Sequence, residues 1–110
     1  MKLARFTGAL CALGLAVAAG QAGAAGWPDR PVRIVVSSGA GGTADIVARL
    51  LAQKLEAALG QPFIVENKPG AGGHVGAAQV ARSPADGYVW LMSGSPTHSV
   101  GPHLYKNLPY

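Results

Sequence analysis

An open α/β fold, built in the order β-α-β-α-β, is predicted for this 110-residue chain by three observations. Short runs rich in Val and Ile recur, as VRIVVSS from Val32, FIVE from Phe63 and YVWLMS from Tyr88. Segments of helical character lie between them. Each of those segments is entered through a copy of GAGG, at Gly39 to Gly42 and again at Gly70 to Gly73. Strands alternating with helices pair in parallel, because each crossover brings the chain back to the same end of the sheet.

The elements begin only after a segment of another kind. Lys2 and Arg5 precede an apolar, small-residue run from about Thr7 to Ala19, and Ala22-Gly23-Ala24 supplies a small-x-small cleavage pattern. Residues 1–24 therefore read as a secretory signal peptide, cut after Ala24 or Ala25, with 25–110 as one domain. The apolar run falls short of the ~20 residues a spanning helix needs, so the mature chain is expected outside the membrane, in the periplasm. Cys11 lies within the signal and is not preceded by a lipoprotein box, which leaves the mature chain without cysteine and without disulfide or thiolate chemistry. No twin-arginine pair is present, so export is unfolded and no cofactor is carried along.

Losing Lys2 and Arg5 leaves seven basic against five acidic side chains, a net charge of +2. The basic residues are scattered, with no aromatic platform between them, which excludes a nucleic-acid partner.

Pro28 and Pro31 keep the WPDRP lead-in extended. VRIVVSS is apolar almost without interruption, as a strand covered on both faces should be. From Thr43 the period changes to that of a helix. Ile46, Val47, Leu50, Leu51, Leu55 and Leu59 form one apolar stripe, the face such a helix turns to its sheet, and Gly60 suits a left-handed stop. After FIVE, which Pro62 opens, NKPGAGG reads as a loop and His74 to Arg82 as a short helix with small residues at Val75, Ala78 and Ala81. SPADG is a turn. GSPTHSVGP reads as a loop, and the last nine residues as an unfinished element. Trp90 is expected in the core and Trp27 against the edge of the first strand.

In parallel α/β sheets, ligands sit outside the carboxyl ends of the strands. Both GAGG turns and the SGSPTH loop fall there. Glycine lets backbone approach a ligand, and a following helix offers unpaired N–H groups and the positive end of its dipole. Gly41 and Gly42 with the hydroxyls of Ser37, Ser38 and Thr43 therefore make a candidate anion cradle. Asp45 lies in the first helical turn, where it either complements the dipole or, facing the pocket, binds an ammonium or orders a water.

Other chemistries find less support. Gly39 to Ala44 satisfies G-x-G-x-x-A, and Glu66 stands where a ribose-binding acid would, so a dinucleotide-binding fragment of an oxidoreductase is the alternative reading. The Sec-type signal argues against it. His74, His98 and His103 lack metal-ligand spacing. Gly94-Ser95 lacks the glycines of a nucleophile elbow, so Ser–His catalysis is excluded and no enzyme is read. His98, Thr97 and Ser95 could instead donate to a carboxylate.

Taken together, PDRPVRIVV, the run from GGTADIVARLL through ENKPGAGG to PADGYVWLM, the SPTH loop and LYKNLPY resemble one family over the whole mature chain. It is the substrate-binding proteins of tripartite tricarboxylate transporters, also called the Bug family of periplasmic solute receptors. The resemblance implies a two-lobed periplasmic binding protein of the type II fold, closing on di- or tricarboxylate-like anions and delivering them to membrane subunits of the transporter. It implies a first jaw at Ser37 to Asp45, cleft lining at Gly72, Gly73 and His74, and further donors at Ser93, Ser95, Thr97 and His98. Where the family carries a Pro-aromatic pair and a Pro, this chain has Ser37, Ser38 and Ala40, which removes an apolar wall. Family members are much longer, so these residues correspond to an N-terminal part of the first lobe, and a non-binding exported product is a further reading.

Overall fold

The structure is a computed structural model and describes residues 26–110. The signal-peptide segment and Cys11 lie outside the described residues. Three strands form one parallel sheet in the order β2-β1-β3: β1 is Val32–Val36, β2 Phe63–Asn67 and β3 Val89–Met92. Val32 pairs with Phe63 on one side, and Arg33 with Val89 on the other. The central strand is thus flanked on both edges. Val32, Ile34, Val35 and Val36 are buried, which accounts for the unbroken apolar run.

Helix α1 (Thr43–Leu59) follows β1, and α2 (His74–Ala81) follows β2. Val32, Ile34 and Val36 pack with Phe63 and with Ala48 and Ala52 of α1 in one core cluster. Side chains alternate along a strand, so Val35 and Ser37 point to the other face. There Gly76 of α2 lies over Ser37, and a Cβ on Gly76 would come 3.3 Å from the Ser37 Cα. The sheet therefore carries a helix on each face.

The stripe on α1 is not where its leucines suggested. Asp45, Ala48 and Ala52 are the buried residues of this helix. Ile46 is 54% exposed, Val47 48% and Leu50 57%. Ala48 and Ala52 have short side chains that let the helix backbone approach the strands closely, and Leu55 joins them at the margin. The larger residues occupy the outer face. α1 stops as expected, with Gly60 at φ 75° and its N–H donated to the Glu56 carbonyl. On α2 the buried set is likewise shifted, to His74, Gly76, Ala77 and Ala78, with Val75 half exposed.

The segment after β3 departs from the loop expected of it. Pro96–Val100 forms a π-helical turn, and Gly101–Leu104 a single helical turn, α3. Pro96 and Pro102 stand in the first turns of these elements, where no intrahelical N–H is required. At the amino end of the sheet, Trp27 stacks on Trp90 at 6.0 Å and meets Phe63 edge-on, while the Tyr88 ring lies alongside. Trp27 is 41% exposed and Trp90 only partly buried.

Candidate functional site

Parallel pairing brings the ends of β1, β2 and β3 to one edge. The Ser37 N–H donates to the Met92 carbonyl and the Lys68 N–H to that of Val36, so the three following loops start side by side. Between them lies a cleft of about 330 Å³ lined by Ser37, Ser38, Ala44, Gly70, Gly72, Gly73, Gly94, Pro96 and Thr97. No lining residue carries a charge.

The glycines of the second GAGG turn make the cleft possible. Gly73 has φ 93° and is buried. A Cβ there would stand 2.3 Å from Thr97 Oγ1 and 3.1 Å from Ser37 Oγ, so only a bare Cα lets these two hydroxyls converge. Thr97 is 1% exposed and donates through Oγ1 to the Gly72 carbonyl at 3.1 Å, which ties the third loop to the second. Ser38 Oγ is buried and has no hydrogen-bond partner among the described residues. An unpaired buried hydroxyl costs roughly 1–3 kcal/mol, a cost that a ligand acceptor would remove. Ala44 belongs to the first turn of α1, whose N-cap residue Gly42 makes no side-chain cap bond. Its free N–H groups and dipole favour an anion nearby.

Among the residues expected at the site, Ser37, Ser38, Gly72, Gly73 and Thr97 line the cleft together. Gly41, Gly42 and Thr43 stand behind it as the turn and N-terminus of α1. Ser93 and Ser95 flank the lining residue Gly94, and His98 is exposed with its ring 6.1 Å from that of Tyr110. Asp45 and His74, also expected there, do not line the cleft.

Asp45 is 3% exposed and already satisfied: Oδ2 accepts from the Gly41 N–H at 2.8 Å and from Arg49 Nε at 3.1 Å, and Oδ1 from Asn67 Nδ2 at 3.0 Å. The Arg49 guanidinium first, then the Gly41 N–H and the Asn67 amide, hold its pKa down to about 2. Asp45 therefore braces the loop from within. His74 is buried under Tyr105 and Tyr110, with Nδ1 against the Tyr110 hydroxyl. It borders a separate cavity of about 640 Å³ with Val75, Ala78, Arg82 and Leu108. That cavity shares none of the cleft residues.

Ala44, Gly70, Gly94 and Pro96, which belong to the three loops expected at this edge, also line the cleft. Arg49 and Asn67 were missed as supports. The Asp45/Arg49 spacing of four, which puts both on one helix face, was the available signal. Glu66, the acid of the dinucleotide alternative, is held bidentately by Arg33 at 3.0 and 2.7 Å, which lowers its pKa and occupies both oxygens.

The chain and its fold are similar to those of known proteins. Residues 47–110 match the family described as tripartite tricarboxylate transporter family receptor. A protein of the UPF0065 group from Bordetella pertussis is 43% identical over 92% of this chain, which spans 31% of that protein. A solved structure of a periplasmic transporter superposes with a TM-score of 0.73 at 44% identity, covering 76% of this chain and 28% of its own. Two further structures hold dicarboxylates. One is a protein of R. palustris with adipate (TM-score 0.67, 37% identity, 76% of this chain and 28% of that one). The other is MatC from Rhodopseudomonas palustris with bound malate (TM-score 0.56, 42% identity, 59% and 22%). The α/β unit described above is thus part of a periplasmic binding protein lobe, and the chain spans less than a third of the proteins it matches. By sequence and fold, this chain belongs to the tripartite tricarboxylate transporter receptor family.

Proposed function

We propose that this chain forms one wall of a periplasmic receptor for small carboxylates, which binds its ligand without transforming it and serves a tripartite tricarboxylate-type transporter. The observation that carries the reading is the uncharged cleft, where the unpartnered Ser38 hydroxyl and the uncapped first turn of α1 meet. A carboxylate oxygen accepts from Ser38 Oγ and is favoured by the α1 dipole, while Ser37 and Thr97 close the floor over Gly73. Neutral donors suit a receptor that must release its cargo, since a desolvated ion pair would hold it more tightly. Ser93, Ser95 and His98 supply donors from the rim. The adipate and malate held by two structural neighbours support dicarboxylates as the ligand class. Residues 1–24 direct export, and residues 25–110 form part of the N-terminal lobe. Among the described residues no helix is long and apolar enough to cross a membrane.

Isothermal titration of the purified protein with adipate, malate and citrate tests the reading. Saturable heat that Ser38→Ala weakens by about tenfold, the value of one hydrogen bond to a charged group, is the expected result. No heat at millimolar ligand overturns it and leaves a non-binding exported product.

A further inference from the structure

We propose that Asn67 is a positioning residue of the cleft, whose side-chain amide locks the loop from Ser38 to Gly42 onto the end of β2 and the first turns of α1. The consequence for ligand rests on the receptor reading above; the locking itself does not.

Asn67 closes β2 opposite Val36, at the level where β1 gives way to its loop. Its Nδ2 donates to the Ser38 carbonyl at 3.2 Å and to Asp45 Oδ1 at 3.0 Å. Its Oδ1 accepts from the Arg49 guanidinium at 3.0 Å. Asp45 in turn holds the Gly41 N–H at 2.8 Å. One amide thus joins a strand end, a helix and both ends of the glycine turn.

The chemistry of the position is specific. Two of its neighbours, a carbonyl and a carboxylate, need a donor, and the third, a guanidinium, needs an acceptor. A primary amide supplies all three. An Asp of the same size keeps the acceptor but sets another anionic oxygen against two acceptors. The Ser38 carbonyl that Asn67 grips belongs to a cleft-lining residue whose buried hydroxyl has no partner among the described residues, so the grip fixes where that hydroxyl stands.

The test compares Asn67→Asp and Asn67→Ala in the purified, nitrogen-15-labelled protein. Amide–water exchange is read by NMR at Gly41 and Gly42. Val32 and Arg33, bonded at the far end of the sheet to the carbonyls of Pro62 and Tyr88, serve as controls. Asn67→Asp is expected to speed exchange at Gly41 by about tenfold, as loss of a charge-assisted bond would, and Asn67→Ala by less, with both controls unchanged. If the two variants rank the other way, Asn67 only fills space and the proposal falls. It falls equally if Val32 and Arg33 accelerate together with Gly41, since the whole fold has then loosened. An adipate titration of the same samples adds the functional arm: Asn67→Asp weakens binding about tenfold. Unaltered binding beside a loosened loop would refute the functional consequence. Absence of binding by the unmodified protein would refute the receptor reading, and the order of the exchange rates would still decide the lock.

Discussion

Gly73→Ala is the substitution whose cost the structure fixes most tightly. The residue sits at φ 93°, and an L-residue in the left-handed region loses roughly 1–2 kcal/mol. The added methyl would also stand 2.3 Å from Thr97 Oγ1 and 3.2 Å from Ser37 Cβ. Both neighbours are buried, so relief requires backbone movement, and overpacking of this kind costs about 1–3 kcal/mol. The two effects together give a loss of about 2–5 kcal/mol. At typical values per residue, residues 26–110 would account for about 4–13 kcal/mol of stability, so the loss is a large share of it. Gly41→Ala is the control. Its φ of 83° is similar, but nothing lies within 4 Å of its Cβ position, which leaves only the backbone cost of about 1–2 kcal/mol. Urea unfolding followed by far-ultraviolet circular dichroism measures both. Removing the obstacle as well, by Thr97→Ala in the Gly73→Ala background, should show a coupling of about 0.5–3 kcal/mol between the two positions. Equal losses for Gly73→Ala and Gly41→Ala, with no coupling to Thr97, would refute the steric reasoning.

Two further perturbations address α1 and its loop. Leu50→Gln, on the outer face, should change stability by less than about 0.5 kcal/mol, whereas Ala48→Leu, against the strands, should cost about 1–3 kcal/mol; the opposite order in urea melts would return the leucine stripe to the core. Asp45 has its pKa lowered from 3.8 to about 2, so its contribution is present in full above about pH 4 and lost as pH falls through 2. The stability difference between the unmodified protein and Asp45→Asn should therefore be constant near neutrality and shrink below pH 4. A difference that persists unchanged to pH 2 would show that the carboxylate is not held ionised by Arg49, Gly41 and Asn67.

Strand positions, helix α1 with its glycine stop, and the edge of the sheet that carries the loops were legible because each rests on a local signal. β-branched runs, a change of period and paired glycine turns are written in consecutive residues. Burial on α1 was not legible, because the apolar residues there run nearly round the helix. In such a helix distance to the sheet, not hydrophobicity, selects the inner face, and the sheet selected the alanines. The π-helical turn after β3 was hidden by Gly94, Pro96 and Gly101, residues that punctuate loops as readily as they begin helices. Among the site residues, hydroxyls and glycines were found because an anion needs them. Asp45 and His74 do not line the cleft; Arg49, four residues on, was a local signal for Asp45, but Asn67, Tyr105 and Tyr110, which also hold the pair, are 22 to 36 residues away in sequence.

The aromatic cluster at the amino end of the sheet has an optical consequence. The chain holds two tryptophans, Trp27 and Trp90, stacked 6.0 Å apart with their planes only 13° from parallel. Rings so disposed share their excited states and should give a coupled far-ultraviolet dichroism band that vanishes when the fold opens. Both lie at the end of the strands opposite the cleft, so intrinsic emission will follow unfolding faithfully and stay silent when the cleft fills. A fluorescent readout of ligand would have to be built in at the other edge, beside Gly94 or Pro96.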